Sequence, residues 1–328
     1  MQVYPLKFHP IYKETIWGGS KISSILKKRN APAIACGESW EISGITNNIS
    51  IVSNGLLAGK SLTEIIDLFQ EKLLGNKVFE QFGNHFPLLI KYIDASEPLS
   101  VQVHPNDGLA KARHQSNGKT EMWYVIDSEP DSSLISGFSK QINKEKYVEL
   151  INLEDKSEFL NILGNEKVQP NDVFFLPAGR IHAIGKGILL AEIQQTSDIT
   201  YRVYDWDRLG LDGKSRELHT NLALDAITFE MADSFKTKYI SSLNNSCFVC
   251  SCENFHVNVL EFDTPFPADY SEIDSFVILM GIDGNSTIKL DDHSEFELSK
   301  GETLLIPAAL KKMMFIPEKI SKILEIFV

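Results

Sequence analysis

The chain has 328 residues, a formal net charge of −12 and 43% hydrophobic residues. This length allows one large domain or two ordinary ones, and the apolar content is enough for a full core. The negative charge argues against nucleic acids and anionic membranes as general partners, but a small anionic substrate can bind where basic residues cluster. No apolar run approaches the ~18 residues of a membrane span, and Met1–Pro10 lacks the apolar segment of a secretory signal. We therefore expect a cytoplasmic protein.

Short β-strands dominate the predicted elements, and a helix precedes most of them. The helix is expected over Ser61–Leu74, because Ser61 followed by Glu64 three residues later is a capping-box pattern. Gly, Asn, Asp and Pro turn signals then separate apolar runs of strand length. The predicted strands are Pro87–Asp94, Leu99–His104, Glu121–Asp127, Asp172–Leu176, Ile188–Gln194 and Thr200–Tyr204.

Three further helices are predicted between or after these strands. Amphipathic segments cover Lys144–Leu153 and Lys156–Leu163, and a short helix is expected over Glu217–Ile227. Asp205–Arg208 is predicted to be a turn with exposed aspartates. The whole pattern predicts a mainly β protein with helical insertions.

A weak internal repeat divides the chain. Asn171–Gly179 and Gly301–Ala309 both place a turn residue and an acid before four apolar residues and Pro-Ala. We therefore expect two similar units, residues 1–235 and residues 236–328, with the boundary in a polar stretch around Met231–Asn245. The second unit has Lys312 where the first has a histidine, and no Gln-x-His or His-x-His precedes it, so we expect it to lack metal ligands.

Four side chains of the first unit are candidate metal ligands. Gln102 and His104 are two residues apart on a predicted strand, which places them on one face. Glu121 begins another predicted strand, and His182 follows the Pro-x-Gly corner at Gly179 by three residues. Either histidine alone could be structural, but two imidazoles, a carboxylate and an amide on neighbouring strands would form an open divalent-metal site.

A cysteine cluster offers a second, weaker metal hypothesis. Cys247, Cys250 and Cys252 lie close together, but no second pair of ligands follows at the spacing that structural zinc sites use. We predict instead a half-buried strand whose thiols stay reduced and bind no metal.

The corner at Pro177–Gly179 with His182 resembles the second cupin motif, with Asn171 in place of its first glycine. The first motif departs from the usual pattern, because Gln102 stands where the first histidine is expected and Glu121 lies seventeen residues after His104. This departure resembles the type I mannose-6-phosphate isomerases in their short bacterial form. Further matching segments are Glu14–Gly19, Gly37–Trp40, Leu99–Pro105, Lys119–Glu121, Ala191–Glu192 and Ser197–Arg202.

The resemblance implies two cupin (jelly-roll) barrels, the second degenerate, and one Zn²⁺ per chain. It implies that the chain is an enzyme that interconverts mannose 6-phosphate and fructose 6-phosphate through an enediolate. The implied zinc ligands are Gln102, His104, Glu121 and His182; the implied catalytic residues are Arg202, Lys119, Asp198 and Glu192; the implied substrate-binding residues are Ser100, Lys91 and Arg208. Arg208 stands where the family usually has a lysine.

Two other functions fit the same residues. Two histidines and one carboxylate can hold Fe(II) in an oxygenase, and a sugar-binding or regulatory cupin could keep the pocket without catalysis. An amide ligand with Lys119 and Arg202 nearby favours a redox-silent ion and an anionic sugar. The residues leave open which group moves the proton, which metal is used in the cell, and the oligomeric state.

Overall fold

The computed structural model describes residues 2–210 and 213–328. As predicted, the chain is mainly β. The strands assigned in these residues are β1 (Ile11–Gly19), β2 (Cys36–Ile42), β3 (Leu88–Ala95), β4 (Val101–Val103), β5 (Glu121–Ser128), β6 (Ser133–Phe138), β7 (Leu163–Lys167), β8 (Val173–Leu176), β9 (His182–Ala183), β10 (Ile188–Gln195), β11 (Tyr201–Tyr204), β12 (Lys236–Thr237), β13 (Asn245–Ser251), β14 (His256–Phe262), β15 (Phe266–Asp269), β16 (Val277–Asp283), β17 (Asn285–Leu290), β18 (Glu295–Ser299), β19 (Thr303–Ile306), β20 (Lys312–Pro317) and β21 (Ser321–Phe327).

Helices are short and lie between the strands. They are α1 (Lys21–Ser24), α2 (Leu62–Phe69), α3 (Glu71–Leu74), α4 (Asn76–Phe82), α5 (Asp107–His114), α6 (Lys144–Ile151), α7 (Ser157–Leu160) and α8 (Thr220–Ala226), with a 3₁₀ turn at Gly55–Leu57. None of the helices in the described part of the chain is long and apolar enough to cross a bilayer.

The predicted capping box at the start of α2 is confirmed. The Ser61 hydroxyl accepts from the Glu64 amide and the Glu64 carboxylate accepts from the Ser61 amide. The single predicted helix over Ser61–Leu74 is wrong in its length, because Gln70 adopts a left-handed φ of 47° that separates α2 from α3. Likewise, Leu163 begins strand β7 rather than ending a helix.

Two antiparallel sheets carry the strands of the first two-thirds of the chain. One has seven strands in the order β1-β2-β3-β10-β5-β8-β12, and the other has five in the order β11-β4-β9-β6-β7. Strands β3 and β10 are buried along their whole length, as expected for strands covered on both faces. The candidate ligands come from both sheets, β5 in the first and β4 and β9 in the second.

The remaining strands form two further antiparallel sheets, β13-β14-β21-β16-β19 and β15-β20-β17-β18. The internal repeat is visible in the backbone. Asn171 and Gly301 both have a left-handed φ, of 75° and 82°. In each case a strand of four residues begins two positions later. His182 and Lys312 each begin the next strand, β9 and β20.

The hydrophobic core extends across the predicted boundary near residue 235. One cluster of buried side chains contains Leu6, Ile66 and Tyr92 together with Ile278 and Leu305. The amide of Leu6 donates to the carbonyl of Leu305, and the amide of Leu305 donates to the carbonyl of Leu6, both at 2.9 Å. The N-terminal segment therefore pairs with a strand of the C-terminal sheets, a long-range contact that sequence periodicity does not reveal.

Candidate functional site

Three buried side chains converge where the two N-terminal sheets meet. The Nε2 atom of His104 lies 3.5 Å from Glu121 Oε2, and the Nε2 atom of His182 lies 3.4 Å from Glu121 Oε1. Their side chains are at most 2% exposed. They are the one group of three or more His, Cys, Asp or Glu side chains in the described residues with ligand atoms within 4.8 Å of one another.

The local backbone explains why these residues meet. Gln102 on β4 pairs directly with His182 on β9, so the two candidate motifs are joined by the sheet. The Pro-x-Gly corner is fixed by the amide of Gly179, which donates to the carbonyl of His104 at 2.9 Å. Gly179 has φ 92°, and a Cβ there would lie 2.5 Å from Thr228 Oγ1, so the corner needs glycine both for conformation and for space.

Both imidazoles are oriented by their other ring nitrogen. Nδ1 of His104 donates to the Ile199 carbonyl at 2.9 Å, and Nδ1 of His182 donates to the Arg180 carbonyl at 2.8 Å. This leaves each Nε2 as an acceptor, the tautomer that metal-binding histidines use. Burial lowers the pKa of His104 well below its ordinary value and that of His182 to about 4, so both rings are neutral near pH 7.

The donor atoms fit a divalent ion. Both Nε2 atoms and both Glu121 carboxylate oxygens are buried and have no hydrogen-bond partner among the described residues. Unpartnered buried polar atoms are costly, and a divalent cation shared by these four atoms would satisfy them. Ligands about 2.1 Å from an ion at tetrahedral angles lie roughly 3.4 Å apart, which matches the separations of His104 and His182 from Glu121.

A chain of alternating charges lies beside the cluster. The Lys119 ammonium is 3.4 Å from Glu121 Oε2. Lys91 lies between two carboxylates, 3.1 Å from Glu192 and 3.3 Å from Glu38. Burial alone would lower the pKa of Lys91, but Glu192 and Glu38 raise it above its ordinary value.

The pKa values of the two buried carboxylates, Glu121 and Glu192, are shifted in opposite directions. Burial raises the pKa of Glu121, and Lys119 offsets only part of that effect. Burial also opposes ionisation of Glu192, but the ammonium groups of Lys91 and Lys119 and hydrogen bonds from Lys91 and Trp123 hold its pKa below the ordinary value. Glu192 is therefore a buried, ionised carboxylate, while Glu121 needs a further positive charge to be ionised at neutral pH.

A cavity of about 310 Å³ opens above these groups. Larger cavities of about 440, 470 and 670 Å³ lie elsewhere, but the cluster of charged groups is at this one. Seven of the predicted site residues line it: Lys91, Ser100, Gln102, Lys119, Glu192, Asp198 and Arg202. The other lining residues include Glu38, Trp40 and Arg216. Trp17 also lines it, whereas Trp123 is fully buried and reaches Glu192 with its indole N–H.

Arg202 lies on the edge strand β11, directly opposite Gln102 on β4. Its outward backbone groups are both satisfied by His219, whose amide donates to the Arg202 carbonyl at 2.7 Å and whose Nδ1 accepts from the Arg202 amide at 3.2 Å. Nη1 of Arg202 donates to the Glu217 carbonyl at 2.8 Å. Segment 217–219 thus holds both the backbone and the guanidinium of Arg202.

The prediction of exposed aspartates at Asp205–Arg208 is wrong for Asp205. This carboxylate is 5% exposed and accepts hydrogen bonds from the guanidinium groups of Arg208 and Arg216. Arg208 is not among the residues that line the cavity, whereas Arg216 is. Sequence patterns provide no signal for Arg216, because it lies in a polar loop and is held at the cavity by its ion pair with Asp205.

The cysteine segment forms the predicted strand, β13, with Cys247 and Cys250 buried and Cys252 half-buried. We expect the triple replacement of Cys247, Cys250 and Cys252 by serine to leave the metal content per chain unchanged, because small apolar thiols on a strand act as packing groups. Metal analysis of the purified variant checks this. Loss of one metal ion per chain would contradict it.

Comparison with known proteins agrees with this geometry. The family model described as phosphomannose isomerase type I, catalytic domain, matches residues 6–142. The chain is 33% identical over 312 residues to mannose-6-phosphate isomerase ManA of Bacillus subtilis, covering 94% of this chain and 95% of that protein. It is 33% identical over 313 residues to the mannose-6-phosphate isomerase of Streptococcus mutans, covering 95% of each.

Solved structures give the same result. The crystal structure of the mannose 6-phosphate isomerase from Bacillus subtilis superposes with a TM-score of 0.87 at 31% identity, covering 98% of this chain and 99% of that one. A phosphomannose isomerase from Salmonella typhimurium has the same fold, with a TM-score of 0.81 at 17% identity and 99% of each chain covered. The chain therefore belongs to the type I mannose-6-phosphate isomerase family and is an isomerase enzyme.

Proposed function

We propose that this protein interconverts mannose 6-phosphate and fructose 6-phosphate through an enediolate intermediate. The observation that carries the proposal is the group His104, Glu121 and His182, whose unpartnered donor atoms lie beside a cavity lined by Lys119 and Arg202. Moving a proton between C1 and C2 of a sugar generates negative charge on two adjacent oxygens, and such a site can stabilise that charge.

We assign Gln102 as the fourth ligand of one Zn²⁺ per chain, with His104, Glu121 and His182. Its support is its strand pairing with His182 and its place in the cavity lining. When bound, the ion supplies Lewis-acid polarisation of the substrate oxygens. Its charge would also supply what Glu121 needs to ionise despite burial.

The side chains of the cavity would divide the remaining work. Lys119 and Arg202 would place fixed positive charge near the oxygens that become negative. Glu192 is ionised and able to accept a proton, and Asp198 is an exposed carboxylate at the cavity lining, so both are candidates for moving the proton between C1 and C2. Ser100 and Lys91, which line the cavity, would contact the sugar. Arg208, the third residue that the resemblance implies for substrate binding, does not line the cavity and is paired with Asp205.

The alternatives make different demands on the same cavity. An Fe(II) oxygenase needs open positions for oxygen but has no need for buried cations such as Lys119 next to the carboxylate ligand. A sugar-binding cupin needs no strained or charged acid–base groups. The buried Lys91–Glu192–Lys119 arrangement and the family membership favour the isomerase.

We also propose that residues 1–235 form the catalytic unit and that residues 236–328 form a degenerate cupin barrel without metal ligands. Lys312 is exposed and its ammonium lies 3.4 Å from Asp269, so we expect Lys312→Ala to change kcat/KM by less than about twofold. Lys119→Ala removes a buried charge beside Glu121 and should lower kcat/KM by about 10²-fold or more. Steady-state kinetics of both variants checks this, and equal losses would contradict it.

The expected partner is a small phosphorylated sugar rather than nucleic acid or membrane, and we propose a cytoplasmic location. A coupled assay with fructose 6-phosphate and mannose 6-phosphate tests the function. Protein loaded with zinc should interconvert them, chelated protein should not, and zinc should restore the activity. An Fe(II)- and oxygen-dependent reaction would favour the oxygenase, and binding of the sugar without turnover would favour the binding protein.

A further inference from the structure

The cavity has an excess of positive charge at the end formed by β11 and the loop that follows it. Arg202 and Arg216 both line the cavity, and burial and the charge of Arg216 lower the pKa of Arg202. Nε of Arg202 is buried and has no hydrogen-bond partner among the described residues. Two neighbouring guanidinium groups with unused donors favour an anion between them.

The two other arginines at this end, Arg208 and Arg216, both donate hydrogen bonds to Asp205. Arg208 uses all three nitrogens of its guanidinium, with Nε and Nη2 on Asp205 and Nη1 on the Pro98 carbonyl. Arg216 donates Nε to Asp205 Oδ2 at 2.7 Å and Nη2 to Oδ1 at 2.6 Å. Within the described residues its Nη1 has no partner. Asp205 therefore fixes both arginines, and of the two only Arg216, whose Nη1 makes no hydrogen bond within the described residues, lines the cavity.

The lysine at the other end of the site is already compensated. The Lys91 ammonium lies within 3.3 Å of both Glu38 and Glu192. It also lies over the ring of Trp40, 5.1 Å from the ring centroid. A phosphate dianion placed there would face two carboxylates as well as one ammonium. The net positive charge of the cavity is at the end of Arg202 and Arg216, where Arg208 and Arg216 share the single carboxylate of Asp205, and not at Lys91.

We propose that Arg216, held in place by Asp205, recognises the phosphate dianion of the sugar substrate, while neighbouring Arg202 acts on the oxygens that become negative, and that Arg208 acts only by positioning Asp205. This inference rests on the proposed isomerase function, because it names the residue that binds the phosphate, the part of the substrate that the reaction leaves unchanged. A planar guanidinium fixed on one edge by a carboxylate presents its other edge to the anion without loss of side-chain entropy.

The test compares three arginine-to-glutamine variants of the metal-loaded full-length protein. Arg216→Gln should raise KM for mannose 6-phosphate, and the inhibition constant of inorganic phosphate, by about 10- to 100-fold, as expected for loss of a charge-assisted hydrogen bond, with kcat changed less than about threefold. Arg208→Gln should raise both constants less. Arg113→Gln is the control, since Arg113 lies on α5 and pairs with Asp225 at the surface.

A larger KM increase for Arg208→Gln than for Arg216→Gln would overturn the assignment, as would unchanged phosphate inhibition in Arg216→Gln. If Arg216→Gln does not fold, Arg216→Lys keeps the charge but not the planar fork and should give an intermediate increase. Calorimetric titration with inorganic phosphate needs no turnover, so it tests Arg216 even if the wild-type protein fails to isomerise the sugar. In that case the proposed function fails, while weaker phosphate binding by the variant still supports the site.

Discussion

Replacing His182 with alanine is expected to abolish bound metal and isomerase activity together. The imidazole supplies one of four buried donor atoms that face one another, and its removal leaves Glu121 with fewer partners in a site without solvent. A metal site that loses one of its few protein ligands loses most of its affinity. Metal content per chain and the rate of fructose 6-phosphate formation are the two measurements.

The matched control is His256→Ala. His256 begins β14 in the C-terminal sheets, and its Nδ1 is hydrogen-bonded to Ser251, so this variant should keep both metal and activity. Full metal occupancy in His182→Ala would show that other residues hold the ion. Loss of activity with retained metal would reduce His182 to a catalytic rather than a metal-binding role.

Arg202→Ala is expected to lower kcat as well as kcat/KM, by about 10²–10³-fold, because an electrostatic donor that acts on developing charge is lost from the transition state. Arg202→Lys should also be impaired. It keeps a positive charge but cannot donate to the Glu217 carbonyl and to the substrate through one planar group. Steady-state kinetics and metal analysis of both variants provide the measurement.

Arg113→Ala serves as a control for loss of an arginine far from the cavity. If Arg202→Ala keeps its metal and raises only KM, with kcat untouched, Arg202 binds substrate and transition state equally. It would then act mainly on the phosphate, together with Arg216, and the stabilisation of the enediolate would belong to Lys119.

Most residues of the candidate metal site could be located from the sequence because they have a local signal. Gln102 lies on β4, His104 follows the end of that strand, and His182 follows a corner that only glycine fits at Gly179. The left-handed φ of Asn171 also agrees with its role as a substitute for glycine. Such signals depend on the backbone within a few residues, which is what sequence patterns describe.

The arginine-rich end of the cavity, formed by β11 and the loop that follows it, could not be predicted in the same way. Asp205 looks like a surface turn residue, and its burial results from two arginines that reach it from three and eleven positions along the chain. Arg216 has no strand or helix pattern around it. The break at Gln70 is similar, since α2 and α3 contact the C-terminal sheets, where the amide of Ala308 donates to the Leu73 carbonyl. Tertiary contacts of this kind override local propensity.

The central claim is an aldose–ketose isomerisation, and nuclear magnetic resonance of the reaction in deuterated water tests it directly. Zinc-loaded protein should bring mannose 6-phosphate and fructose 6-phosphate to the same final mixture from either side, with deuterium appearing at C2 of the aldose or C1 of the ketose as the enediolate exchanges its proton. Glu192→Gln would indicate whether that carboxylate moves the proton. Failure of the zinc-loaded protein to convert either sugar phosphate into the other would contradict the account.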